Sequence, residues 1–312
     1  MKPWLFRGCA VALGLLALLL AVAGYQAWAF LNPLSEHQLE VAGETRSYAL
    51  FVPPDHNPDT GKLPLVIALH AFMDSAEGMR RLTGLDAVAG RERFLVAYPN
   101  GRWRHWRVQA RQQAGVEEDI RFIDGLIARL VETRGADPHR VYLTGASNGA
   151  MMAHLLACAI PGKVAAIAPC YGTLTRAAAE RAETPLPMPV LMMHGTDDPI
   201  VRWGGGDDTW YGQPGYDSVE KTVAFWVERN GCETASKTAA LPDTAPEDGA
   251  IAREIRHRQC LAGAEVILIR IEGGGHTWPG SDFNPAGETV GTVCQDFNAS
   301  QRIWRFFQAH RR

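Results

Sequence analysis

The sequence contains no Cys-x-x-Cys pair and no cluster of Cys and His at zinc-ligand spacing, so nothing in it calls for a metal centre. Runs of like charge are missing as well. With 31 Lys and Arg against 34 Asp and Glu, the formal net charge is −3, which gives no pull toward nucleic acid. No segment repeats internally, and no low-complexity tract interrupts the chain. What remains is ordinary globular composition: 312 residues, 46% of them hydrophobic, suffice for a substantial core.

The one long apolar run lies at the start. Lys2 and Arg7 precede an almost unbroken apolar stretch from Cys9 to Gly24, which leads into Ala27-Trp28-Ala29. A basic start, an apolar middle and a small-residue exit predict a signal peptide over residues 1–29. Left uncleaved and extended to Leu31, the same segment is long enough to act as a membrane anchor. The rest of the chain is therefore expected to be secreted or periplasmic, with membrane contact only if the segment is retained. Export also gives the cysteines meaning. Apart from Cys9, there are Cys158, Cys170, Cys232, Cys260 and Cys294, and an odd number leaves at least one thiol free or paired with another chain.

From Glu40 onward, short apolar runs alternate with amphipathic ones. Residues 63–70, 94–99, 140–145, 164–169, 189–195 and 265–271 are β-branched-rich and close on Gly, Pro or His, as buried strands do. Residues 46–54 alternate and end in two prolines, which predicts an antiparallel edge strand. Helical periodicity marks 117–135, 149–160, 218–231 and 300–310. Strands alternating with helices predict an α/β fold, a mostly parallel central sheet flanked by helices on both faces. The Pro- and Asp-rich stretch 240–250 reads as a surface excursion, so residues 40–312 are expected to form a single catalytic domain.

In such sheets, sites form beyond the carboxyl ends of the strands. Gly145-Ala146-Ser147-Asn148-Gly149 stands between the "VYL" strand and an apolar helix, the context of a nucleophile elbow. The two glycines relieve the clashes of a sharp turn, which lets Ser147 lift its Oγ above the sheet. A serine nucleophile needs a base and an acid to orient that base. His276, in the glycine-rich "EGGGHTWPG" after the last strand, is the expected base, ahead of His70, His194 and His154. Asp198 is the expected acid over its neighbour Asp197, because Pro199-Ile200-Val201 completes a His-Gly-x-x-Asp-x-x-Val pattern. The order Ser, acid, His is that of the α/β-hydrolase fold. Its oxyanion hole uses two backbone N–H groups, here expected from Asn148 and from Phe72 on the loop after the first buried strand.

The segments "LHAFMDS", "YPNGRWRHW", "VEEDIRFIDGLIARLV", "DPHRVYLTGASNGAMM", "HGTDDPIV", "FWVERNGC" and "GGGHTWPG" occur in this order. In this they resemble the secreted polyhydroxybutyrate-depolymerase-like and feruloyl-esterase-like serine esterases, over roughly residues 40–310. The resemblance implies hydrolysis of a carboxylic ester with no cofactor, and a disulfide between Cys232 and Cys260. One position departs from the pattern: Ala71 stands where these proteins usually have glycine after the histidine of the oxyanion loop.

An exported serine esterase acting through an acyl-enzyme on Ser147, on polyhydroxyalkanoate-type or feruloyl and aryl esters, is therefore the leading expectation. A serine peptidase on the same fold would usually add a propeller or a large lid, for which the chain has no spare length. A non-catalytic binding protein would not need Ser147, Asp198 and His276 together. Trp103, Trp106, Trp203, Trp210 and Trp278 fall in loops near the expected site mouth, and Trp106, Trp210 and Trp278 are taken as faces for the substrate. The segment 203–217 is glycine-rich and acidic, a poor interfacial helix, which argues for small or aromatic acyl groups over long-chain lipids.

Overall fold

A computed structural model describes residues 36–312 apart from 60, 110–111, 184–185, 207–214 and 285–286. The expected signal segment 1–29 and Trp210 lie outside the described residues. Ten strands form one sheet: β1 (Glu36–Val41), β2 (Glu44–Phe51), β3 (Leu63–Leu69), β4 (Leu95–Pro99), β5 (Ala136–Ala146), β6 (Ala166–Cys170), β7 (Val190–Gly195), β8 (Ser236–Ala240), β9 (Ile251–His257) and β10 (Val266–Glu272). Their spatial order is β1-β2-β4-β3-β5-β6-β7-β10-β9-β8. The six strands from β4 to β10 in that order run parallel, and antiparallel pairs close both edges.

The helices are α1 (Ala76–Thr83), α2 (Leu85–Glu92), α3 (Gln113–Thr133), α4 (Asn148–Ala159), α5 (Arg176–Ala179), α6 (Val219–Arg229) and α7 (Ala299–Gln308). Side chains alternate across a strand, and β5 shows the consequence. Val141 and Leu143 join the core cluster that also holds Ile123 of α3 and Trp226 of α6. Tyr142 points the other way and stacks on Phe307 of α7, ring centroids 4.6 Å apart. Trp304 of the same helix stacks on Phe94 at 3.9 Å. Each such buried side chain stabilises the fold by roughly 1.5–3 kcal/mol, so the sheet is held from both faces.

The sheet edges depart from the sequence-based expectation. Residues 46–54 are not an edge strand, because β1 pairs outside β2. The link between them is two residues, Ala42 (φ 52°) and Gly43 (φ 81°), the left-handed pair of a tight hairpin turn. At the opposite edge, the excursion expected at 240–250 is the connection of a second hairpin, β8 to β9. Every residue of β8 is exposed, so its sequence carries no apolar alternation to betray a strand. The short helices α1 and α2 were not among the expected elements, though α1 places its buried Ala76, Met79 and Thr83 at helical spacing. Their boundaries come from caps: the Ser75 hydroxyl accepts from Gly78 N at 3.2 Å, and Gly84 at φ 57° ends α1.

Cys232 and Cys260 form a disulfide with an S–S distance of 2.07 Å, closing the segment that contains β8 and β9. Cys158, Cys170 and Cys294 are free and buried. No helix among the described residues is long and apolar enough to cross a membrane.

Candidate active site

Ser147 stands where β5 gives way to α4, with φ 54° and ψ −116°. A non-glycine residue in such a conformation costs of order 1–3 kcal/mol and persists only where its surroundings dictate it. Two close approaches do so here. A Cβ on Gly149 would lie 2.1 Å from the Leu69 carbonyl oxygen, and one on Gly145 would lie 2.4 Å from Gly149. The turn is pressed against the end of β3, and Ser147 occupies its apex, 8% exposed. The first N–H groups of α4 have no partner within the helix and carry its positive end beside the serine.

Asp198 lies on the short loop after β7, buried, with both carboxylate oxygens engaged. Oδ1 accepts from Ile200 N and Val201 N at 2.8 Å each, and Oδ2 is 2.8 Å from His276 Nδ1. Asp197 is exposed instead, and its carboxylate accepts from the Thr196 hydroxyl. Its backbone N–H donates to Gly274 O at 3.0 Å, which ties the acid loop to the histidine loop. That approach needs glycine on the acid side, since a Cβ on Gly195 would lie 2.1 Å from Gly274 O. The histidine loop is pinned in turn by His276 N to Val290 O at 2.6 Å and Gly275 N to Thr292 O at 2.9 Å.

Ser147, Asp198 and His276 thus follow β5, β7 and β10, which with β6 are consecutive strands of the sheet. Tyr171, just beyond β6, connects them. Its ring meets His276 edge-on at 4.6 Å, and its backbone holds φ 40°. A Cβ on the following Gly172 would lie 2.4 Å from the Ser147 carbonyl oxygen. One dipeptide therefore touches both the serine turn and the imidazole.

The other histidines have different surroundings. The His70 ring donates from Nδ1 to Ala71 O at 2.7 Å and accepts from Gly101 N at Nε2, 2.9 Å. Burial pushes its pKa down to about 4, so it is a neutral brace between two loops. His154 accepts from Trp226 Nε1 at 3.0 Å, and burial pushes it down to about 3. Ala71 does not adopt the left-handed conformation that would demand glycine; Met73, two residues on, does, at φ 60°. Alanine at 71 therefore costs no backbone strain.

Comparison with known proteins bears on this arrangement. A family model described as esterase PHB depolymerase matches residues 46–202. NocK of Nocardia uniformis subsp. tsuyamanensis, provisionally named an esterase, is 31% identical over 84% of this chain and 79% of its own. The chain belongs to the esterase PHB depolymerase family. Feruloyl esterase B of Piromyces equi is 26% identical over 68% of this chain, a match that spans 39% of that longer protein. An acetyl xylan esterase structure from Aspergillus awamori superposes with a TM-score of 0.60 at 18% identity, covering 78% of this chain and 94% of that one. The fold is the α/β-hydrolase fold, and the protein is a hydrolase acting on esters.

For this esterase, burial corrects part of the expected substrate surface. Trp106 is 1% exposed, and its Nε1 donates to His70 O at 3.1 Å, so it has no face to offer a substrate. Trp278 is 2% exposed, and its Nε1 donates to Ser300 Oγ at 3.2 Å, which docks the histidine loop on α7. Both support the site from behind. Trp103, by contrast, is 70% exposed.

Some supporting residues escape sequence reasoning. The Asn148 side chain clamps the Trp106 backbone, Oδ1 accepting from its N–H at 2.7 Å and Nδ2 donating to its carbonyl at 3.0 Å. Asp119, fully buried on α3, accepts from Arg107 N at 3.0 Å and from Arg46 at 2.9 Å, fixing the same loop. The signal for Asp119 was an aspartate on the apolar face of a helix; Tyr171 gave none.

Proposed function

We propose that this protein is an exported serine esterase in which Ser147 attacks the ester carbonyl, His276 is the general base and Asp198 orients it. The observation that carries the reading is the 2.8 Å contact of His276 Nδ1 with a buried Asp198, linked through Tyr171 and Gly172 to a serine in a strained strand-to-helix turn. With Nδ1–H directed at the carboxylate, Nε2 is left to take the serine proton. The tetrahedral oxyanion is received by the backbone N–H groups of Asn148 and Phe72. His276 returns the proton to the leaving alcohol, and water then repeats the sequence on the acyl-enzyme.

Residues 36–312 make one compact unit, in keeping with a single catalytic domain. The names of the family and of its relatives point to polyhydroxyalkanoate-type or feruloyl esters, and aryl esters with small or aromatic acyl groups extend that reading. No cofactor enters the reaction as proposed. The test is an ester panel of short nitrophenyl esters, feruloyl esters and polyhydroxybutyrate film, run with wild type and Ser147→Ala. The variant should lose about 3 to 6 decades of rate while keeping its fold. Near wild-type turnover in Ser147→Ala, or best efficiency on chains of a dozen or more carbons at an oil–water interface, would overturn the reading.

A further inference from the structure

Asp198 orients His276 only as well as its own loop is held, and that loop has no regular structure. Asp197 N ties it to Gly274 O on the histidine loop; a second fixed point is Val201, whose N–H donates to Asp198 Oδ1 at 2.8 Å, together with the element that holds Val201 in turn. That element is β7. The imidazole of His194, within this central strand, donates from Nε2 to the Val201 carbonyl at 2.7 Å. Both backbone polar groups of Val201 are thereby used, one toward the acid and one toward the strand. The His194 and Asp198 side chains are completely buried, and Nε2 also lies 3.5 Å from Asp198 Oδ2.

We infer that His194 is a positioning residue of the proposed catalytic site, holding Asp198 to the sheet through Val201. The inference rests on the assignment of Ser147, Asp198 and His276 above. A chain of three contacts, at 2.7, 2.8 and 2.8 Å, runs from the strand through Val201 and Asp198 to His276. β7 is paired on both sides, by β6 and β10, so the anchor is rigid.

The protonation state of His194 matters to this role. A cationic imidazole 3.5 Å from Oδ2 would compete with His276 for the carboxylate charge. Burial lowers the His194 pKa and outweighs Asp198 and Glu220, which favour its proton; His276 disfavours it. The remaining groups that face the ring are the edge of Trp203 at 6.0 Å, His154, and the cross-strand neighbour Arg270. With the proton on Nε2, Nδ1 is left as a buried acceptor without a partner among the described residues. That orphan atom is the cost of keeping the ring neutral and its donor aimed at Val201.

The experiment compares His194→Gln, whose amide nitrogen reaches about where Nε2 stands, with His194→Met, which fills similar space with no donor. Initial rates on a soluble nitrophenyl ester separate kcat from KM, and thermal melting reports folding. Proton NMR reports the low-field resonance of the His276–Asp198 bond. His194→Met should lower kcat on the order of 10- to 100-fold, the loss expected from a small misplacement of a catalytic group. Its KM should stay within about twofold, and the low-field resonance should be lost. His194→Gln should keep kcat within about threefold and retain the resonance.

Wild-type kcat and resonance in a folded His194→Met would overturn the inference. So would a His194→Gln as impaired as the methionine variant, since shape and not the hydrogen bond would then matter. If His194→Met does not fold, nitrogen NMR of the wild type decides: His194 must be the neutral Nε2–H tautomer at the pH of the assay, about 8, and an imidazolium or Nδ1–H form there refutes the role. Ser147→Ala, run in parallel, tests the site itself. Turnover in that variant removes the underlying assignment, whereas its inactivity beside an active His194→Met removes only the role of His194.

Discussion

Replacing Asp198 with asparagine tests the geometry through a proton and not through packing. Asn is nearly isosteric, so the question is which way its amide faces. Ile200 N and Val201 N both point at Oδ1 from 2.8 Å, and they accept no arrangement except an oxygen at that position. The amide NH2 of Asn at 198 must therefore take the place of Oδ2, 2.8 Å from His276 Nδ1. It donates to Nδ1 and drives the imidazole proton to Nε2, where the ring can no longer accept the serine proton. A wrong tautomer of this kind costs about 10⁴ in kcat, or roughly 5.5 kcal/mol of barrier, while the fold stays intact. Asp197→Asn is the internal control, since among the described residues its exposed carboxylate meets the Thr196 hydroxyl and no catalytic group, and its rate should stay within about twofold of wild type. The assay is initial rates on a soluble nitrophenyl ester, with near-ultraviolet circular dichroism to confirm packing. More than a tenth of wild-type kcat in Asp198→Asn, or a crippled Asp197→Asn, would refute the reasoning.

Asn148→Ala should strand the buried backbone N–H and carbonyl of Trp106, destabilising by about 1–3 kcal/mol for each, and an unchanged urea midpoint would contradict that clamp. Removing the Cys232–Cys260 bridge should cost about 3 to 4 kcal/mol, and peptide mapping of unreduced protein should find it joined, with Cys158, Cys170 and Cys294 alkylated only after unfolding. The third outcome concerns acid. With the folded His154 pKa pushed down to about 3, the unfolded chain binds a proton that the folded chain refuses between about pH 6.5 and 3. Wild type therefore loses about 1.4 kcal/mol per pH unit from this group as pH falls through that window, and regains it as pH rises. His154→Phe should be the less stable protein at pH 8, because Trp226 Nε1 loses its acceptor, with the gap closing by about that amount per unit below pH 6.5. A gap that is constant with pH, in denaturation midpoints from pH 8 to 4.5, counts against a neutral His154.

The parallel strands were legible because burial on both faces makes them continuous apolar runs, and β3 to β7 and β10 fall within two residues of their expected ends, save the N-terminal extension of β5. The edges were not. β8 is exposed throughout, and β9 carries Arg253, Glu254 and Arg256 in ion pairs with Glu272, Arg302 and Glu265, so neither bears an apolar signature. The loops that carry Ser147, Asp198 and His276 were readable for a related reason: close backbone approaches there leave room only for glycine, at Gly145, Gly149 and Gly195. What tryptophan does was not readable. Residue type says that Trp106 and Trp278 are large and amphipathic, but only the tertiary fold decides that each spends its N–H on a buried partner. His194 illustrates the same limit, since both its proximity to Asp198 and its bond to Val201 follow from how the loop folds back on the strand.

The candidate site is held by pairing each loop to something rigid, and the pairings differ in kind. The loop after β3 is braced by a neutral histidine, since His70 spans Ala71 O and Gly101 N. The loop after β4 is clamped by the amide of Asn148 and by the buried carboxylate of Asp119. The acid loop leans on the histidine loop through Asp197 N to Gly274 O, and the histidine loop is seated on α7 through Trp278. None of these braces is a surface ion pair, which salt would weaken. They are buried hydrogen bonds between neutral groups or to a single carboxylate, where the alternative is an unpaired polar atom. Precision in the strained serine turn therefore draws on bonds that the interior cannot easily give up, and the residues that supply them need not touch a substrate at all.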